Sequence, residues 1–315
     1  MPYPYYIDII NKRAAGDPAG FAQECEAIFN RKVEESAAMV AEHAAMPGNH
    51  VVLLSGPSGS GKTTAAQKIC DSLNRIGVLA HTISLDRYFA TPDPLTSPLT
   101  EDGSFDRESP YCLDLGLLNS HFCALERGDP ITVPYFDFVR QMRDESMATP
   151  LELDRNEIVI FEGIHALNDL VADGHPKAFK LYISARSDVV HYGRLCFKRT
   201  WTRLLRRVVR DELFRGTGAG QTLSLWANVR QGEKLYISPF KYKADILFDS
   251  SMGYEVPVMK HFALNAFRDV PDGAARLDEL RALLPSLLEF EDIDASHVPP
   301  DSILREFIGG GIYER

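Results

Sequence analysis

The chain of 315 residues has no apolar run able to cross a membrane. Stretches such as Val51–Leu54 fall far short of the ~18 residues a span requires, and the start MPYPYYIDII lacks a basic region followed by an apolar core. Neither insertion nor export is expected, and the expected location is the cytoplasm. Positive charge is also scarce. Lys and Arg number 34 against 44 Asp and Glu, a formal net charge of −10, which makes the molecule a poor partner for a phosphate backbone and speaks against nucleic acid. The five cysteines, Cys25, Cys70, Cys112, Cys123 and Cys196, are odd in number and contain no C-x-x-C pair. They read as reduced, buried thiols. The nine histidines show no H-x-x-x-H spacing, so no dedicated zinc site is expected. There is no internal repeat and no low-complexity tract. What is present is a globular balance, 45% hydrophobic and 25% charged, with ample material for a core.

From His50 onward, short β-branched runs alternate with helical patterns. HVVLLS, LAHTISL, EIVIFEG, KLYIS and ADILFDS read as strands, and Thr63–Arg75, Leu113–Arg127 and Val189–Leu213 as helices. Strands without polar alternation, separated by helices, imply a mostly parallel sheet covered on both faces, a three-layer α/β/α fold. Before this unit, Phe21, Cys25, Ile28, Phe29, Val33, Ala37 and Val40 recur at helical spacing between Pro18 and Ala45, after a Tyr- and Pro-rich tip and before the breaker Met46-Pro47-Gly48-Asn49. After it, Leu277, Leu280, Leu283, Leu284 and Leu287 mark a helix over 275–288, and SILREFIGGG ends in a glycine stop. The expected division is a helical arm over 1–49, an α/β domain over 50–262 and a helical extension over 263–315.

The first strand leads into Gly56-Pro57-Ser58-Gly59-Ser60-Gly61-Lys62-Thr63, followed by a helix. This is the G-x-x-x-x-G-K-[ST] pattern in its proper setting. Glycines let several backbone N–H groups point inward at a phosphate, and the helix N-terminus adds its positive end. Gly56, Ser58, Gly59, Ser60, Gly61, Lys62, Thr63 and Thr64 are the expected nucleotide-binding set, with Lys62 for the β/γ-phosphates and Thr63 for Mg²⁺. Glu162 ends the strand IVIFE, at the crevice where open α/β sheets hold ligands, and is the expected second partner of the metal.

A phosphate cradle alone does not separate a kinase from a hydrolytic switch. Asp86, in SLDRYF, ends the second strand and is placed to accept a proton from an attacking hydroxyl. Arg203, Arg206, Arg207 and Arg210 fall at i, i+3, i+4 and i+7, opposite Leu204, Leu205, Val208 and Val209. With Asp211 and Glu212 too few to balance them, a triphosphate is the expected counter-ion. Gly216-Thr217-Gly218-Ala219-Gly220 then reads as a hinge, so that about 203–222 forms a mobile arginine-rich lid. No N-K-x-D run is present to read guanine, so a GTPase is not expected.

In order, GPSGSGKTT, SLDRYF, SFDRESP, VPYFDF, IVIFEGI, TRLLRRVVRDELFRG, GQTL and SPFKYKADILF resemble the uridine kinase branch of the P-loop kinases, which also includes phosphoribulokinase and pantothenate kinase. The resemblance spans about 50–260. It is similar in particular to bacterial uridine-kinase-like proteins whose longer forms carry a region like one in threonyl-tRNA synthetase, a region not seen here. It implies Asp86 as base, Arg206 and Arg210 as lid arginines, and Asp106, Arg203 and Gln221 on the ribose hydroxyls. In the stretch that resembles Y-D-F-x-x-H-x-R, the residues are Phe136, Asp137, Phe138, Val139, Arg140, Gln141, Met142 and Arg143. Phe136, Phe138, Gln141 and Arg143 are thus the expected base-side residues, with Tyr replaced by Phe136 and His by Gln141. Loss of those two polar readers weakens base discrimination. The expectation is an ATP- and Mg²⁺-dependent kinase acting on a primary hydroxyl of a ribose-bearing or polyol-like small molecule, uridine or cytidine being the family default. The rival is a regulatory or RNA-associated ATPase with no small acceptor. A homo-oligomer is left open.

Overall fold

Val51–Ser55 (β1), Ala80–Ser84 (β2), Ile158–Glu162 (β3), Phe179–Ser184 (β4) and Ile246–Asp249 (β5) form a five-stranded sheet in the order β5-β4-β1-β3-β2. Every pairing is parallel, with Val51 opposite Val159, Val52 opposite Phe179, Ala80 opposite Ile158 and Ile246 opposite Leu181. Parallel strands need crossovers that cover both faces, and β1 and β3 are accordingly buried at every position. The computed structural model describes residues 4–46, 48–101, 103–154 and 157–313. Parts of the Tyr- and Pro-rich tip, and Pro47 of the helix breaker, lie outside them.

Side chains alternate along a strand, and the two faces of β1 therefore serve two cores. Val52 and Leu54 pack with Ala65, Ala66, Ile69 and Leu73 of helix α3 (Lys62–Arg75), while Val51 and Leu53 pack with Leu118, Phe122 and Leu125 of α4 (Leu115–Arg127). This is the three-layer α/β/α fold. The arm adds α1 (Ile7–Gly16), which the sequence pattern did not reveal, and α2 (Pro18–Ala44). The Asp17 carboxylate accepts the Gly20 N–H at 2.9 Å and Pro18 opens α2, a capped start. Phe29, Val33, Ala37 and Val40 join the first core, with the Phe29 ring 5.3 Å from Phe248 of β5; Ile28, expected on the same stripe, is exposed.

The pattern over 189–213 is not one helix. Val189–His191 and Arg194–Phe197 form an antiparallel pair, and Tyr5–Tyr6 adds to it in parallel. Tyr192 and Gly193 turn with positive φ, a conformation that ends any helix there, and α5 begins only at Arg199 and runs to Phe214. Beyond it lie α6 (Ala219–Gly232), α7 (Glu255–Phe267), α8 (Leu277–Leu288) and the short α9 (Arg305–Ile308), stopped by Gly309 and Gly310 at positive φ. The five cysteines are unpaired, and none is fully buried as expected, Cys123 being exposed. Among the described residues, no helix is long and apolar enough to cross a membrane.

Candidate active site

The loop between β1 and α3 is shaped by close approaches. A Cβ on Gly56 would lie 2.0 Å from the Ile183 carbonyl oxygen, and Gly61 sits at φ +82°, where a side chain would also strike Ile303. The Lys62 ammonium donates weakly to the Pro57 carbonyl at 3.4 Å, Arg207 donates to Ser58 Oγ at 2.9 Å, and Ser60 Oγ is buried without a hydrogen-bond partner. Thr63 Oγ1 donates to Glu162 Oε1 at 3.3 Å, which joins the start of α3 to the end of β3. Burial lifts the Glu162 carboxyl to about 7, with Lys62 opposing and Asp86 reinforcing the shift. Burial pulls Lys62 below the ordinary lysine range, against the pull of Glu162 and Asp86. An alcohol oxygen beside a desolvated carboxylate suits a small hard cation, and a cradle of inward N–H groups suits a phosphate chain.

These groups open onto a cavity of about 580 Å³ shared by Lys62, Thr63, Glu162, Asp86, Phe136, Phe138 and Gln141. Asp86 lies in the single turn Leu85–Tyr88 that follows β2, where Ser84 Oγ accepts its N–H at 3.3 Å and its side chain stays exposed. The far wall is the hairpin Phe136–Asp137 and Met142–Arg143. Asp137 Oδ1 accepts the N–H groups of Val139 and Arg140 at 2.8 and 3.0 Å, a self-bonded turn, and Gln141 completes it at φ +55°. That turn spends the Gln141 amide on the Phe138 carbonyl and leaves Phe89, Phe136 and Phe138 as a cluster of rings with centroids 5.0–5.6 Å apart.

Arg210 also lines the cavity, its Nε donating to Asp211 at 2.8 Å. Arg206 does not. It is fully buried, with Nε on Glu255 at 2.7 Å, NH2 on the Ser250 carbonyl at 2.8 Å and NH1 toward the Gly59 carbonyl at 3.3 Å. It supports the cradle from beneath and has no donor facing a substrate, which corrects its expected lid role. Arg203 is likewise corrected as a ribose contact: it is buried, donating to the Ser58 carbonyl at 3.0 Å and to Glu233 at 2.8 Å. Arg203, Arg206 and Arg210 are all buried, and the charges that offset this helix are Glu233, Glu255 and Asp211, so α5 is a core helix and not an open lid. Of the hinge, Gly216 has positive φ, but Ala219 and Gly220 already belong to α6.

Gln221 is exposed on α6, and neither it nor Asp106 lines the cavity; Asp106 Oδ1 accepts the Glu108 N–H at 3.1 Å. Arg143, expected on the base side of the substrate, does not line the cavity and pairs with Asp114 at 3.0 Å. Among the residues not singled out as site residues that line the cavity are Arg207, Glu108 and Glu306. Arg207 was visible in the arginine run and Glu108 in SFDRESP, but nothing near Glu306 marks it. Burial lifts Glu108 to about 7, with Arg207 opposing and Asp106 reinforcing.

The sequence profile of the phosphoribulokinase/uridine kinase family matches residues 51–256. A uridine kinase of Halobacterium salinarum is 29% identical over 195 residues, covering 62% of this chain and 77% of that protein. A uridine kinase of Staphylococcus epidermidis is 27% identical over 213 residues, covering 66% and 91%. Among solved structures, a protein from Silicibacter sp. TM1040 given the name of a fructose transport system kinase aligns with a TM-score of 0.51 at 18% identity, over 69% of this chain and 98% of that one. That likeness speaks to the fold.

Proposed function

Because the chain belongs to the phosphoribulokinase/uridine kinase family and is a phosphotransferase acting on a hydroxyl acceptor, we propose that it transfers the γ-phosphoryl group of ATP, with Mg²⁺, to a primary hydroxyl of a ribose-bearing or polyol-like molecule. The observation that carries this reading is Asp86 on the same cavity as Lys62, Thr63 and Glu162. A hydrolytic switch needs no carboxylate aimed at an acceptor, whereas a kinase uses one to take the hydroxyl proton as the oxygen attacks.

Lys62 and the N–H groups of the loop hold the phosphates, and Arg207 and Arg210 face charge that builds during transfer. Thr63 and Glu162 would hold Mg²⁺, which when bound neutralises charge on the phosphates. Asp86 accepts the acceptor proton. Asp86 and Glu108 offer partners to hydroxyls, and the phenylalanine wall takes the rest of the acceptor while keeping water away. With Gln141 bonded within its own turn, that wall is mostly apolar, and an apolar pocket separates related ligands by only ~10 to 10². A panel of kcat/KM values for uridine, cytidine, adenosine and simple polyols tests this. Uridine and adenosine should differ by less than ~10²; a far larger preference for uridine would show that a polar group reads the ring.

A further inference from the structure

The first N–H groups of a helix have no partner inside it, and in a phosphate cradle they are the donors that a nucleotide uses. In α3 one of these is already taken. Glu306 Oε2 accepts the Thr64 Oγ1 hydroxyl at 2.9 Å and the Thr64 N–H at 3.3 Å, from a position 242 residues away in sequence, and Glu306 lines the same cavity as Lys62 and Thr63. The carboxylate therefore caps α3 with the charge and acceptor chemistry that a phosphate oxygen would bring.

The segment that carries it is firmly seated. Ile303, Leu304 and Phe307 are fully buried, Ile303 lies against Gly61, and the Arg206 guanidinium stands 5.2 Å from the Phe307 ring. The Arg305 guanidinium spans the carbonyls of Ala295, Val298, Pro299 and Gly309, closing the loop on itself. The backbone is held, and the Glu306 side chain is only half-buried.

We infer that Glu306 competes with the nucleotide phosphates for the first-turn donors of α3 and so sets nucleotide affinity, exchanging its place on Thr64 for a phosphate when nucleotide enters. Two anions do not share one pair of donors, and the protein gives up a charge-assisted hydrogen bond each time nucleotide binds. The inference rests on the P-loop reading of the site. It makes two measurements move in opposite senses. Removing the carboxylate takes a cap from α3, so thermal stability without nucleotide falls; it also removes the competitor, so nucleotide binds more tightly.

The test is calorimetric titration of ADP into the wild-type chain, Glu306→Gln and Glu306→Ala, with Tm measured for each without nucleotide. Glu306→Gln keeps the shape and one acceptor oxygen, so it guards against a misfolded alanine variant. The expected result is a lower Tm together with an ADP Kd reduced on the order of tenfold, about the worth of one hydrogen bond to a charged group. An ADP Kd unchanged within about twofold on that scale, or raised in both variants, would overturn the inference and leave Glu306 as a structural cap. A wild-type chain that binds no ADP would instead overturn the P-loop reading and the inference with it.

Discussion

Glu108 shows how far one side chain's surroundings can depart from what its position in the sequence implies. Desolvation raises its carboxyl to about 7, Asp106 and Asp86 add to the shift, and Arg207 and Lys62 oppose it. In the unfolded chain the same group ionises near 4.5. Between those two values the folded state binds more protons than the unfolded state, so this residue makes stability fall as pH rises through the window. Glu108→Gln removes the titration. Its Tm should decline less than that of the wild-type chain between pH 4.5 and about 7, as followed by circular dichroism across a pH series. Equal slopes for the two chains would mean that Glu108 ionises in the folded protein as it does in water.

At the scale of elements, α5 marks the boundary of what the sequence could tell. Its apolar set, Leu204, Leu205, Val208 and Val209, was legible from helical spacing and is buried. Its arginines were legible as a run, but not their partners, because Glu233 and Glu255 lie 30 and 49 residues from the arginines they pair with. Local charge counting thus left an excess, which for Arg203 and Arg206 the fold fills itself, while Arg207 and Arg210 line the cavity. The start of the helix was misplaced for a related reason: Val189–His191 is a strand only because Tyr5–Tyr6 and Arg194–Phe197 pair with it. By contrast, the strand, glycine loop and helix around Lys62 and Thr63 were legible, since these residues are contiguous. The corrected role of Arg206 has a consequence for stability. Arg206→Ala leaves Glu255 buried without its ion partner and should cost about 3–5 kcal/mol in urea unfolding. A variant that unfolds at the wild-type urea concentration while losing phosphoryl transfer would restore Arg206 to the chemistry.

For the molecule as a whole, the two arms outside residues 51–256 are drawn into the same core as the sheet. Tyr254 donates to Glu26 of α2 and also meets Ser302 Oγ at 3.4 Å, so both arms meet at the start of α7. Lys68 of α3 binds the Asp301 carboxylate at 2.7 Å, which ties the final segment to the helix that opens the phosphate cradle. Spacing marked these arms as amphipathic but could not say what they cover, because each packs on residues remote in the chain. The central claim concerns the cavity beside Lys62: a carboxylate, Asp86, takes the proton of an acceptor hydroxyl. The most direct measurement is ATP consumption with and without hydroxyl acceptors, for the wild-type chain and Asp86→Asn side by side. Consumption should rise with an acceptor that becomes phosphorylated, and the variant should bind ATP as before while transferring ~10² to 10⁴ times more slowly. ATP consumption indifferent to every acceptor, and equal in the two proteins, would contradict the account.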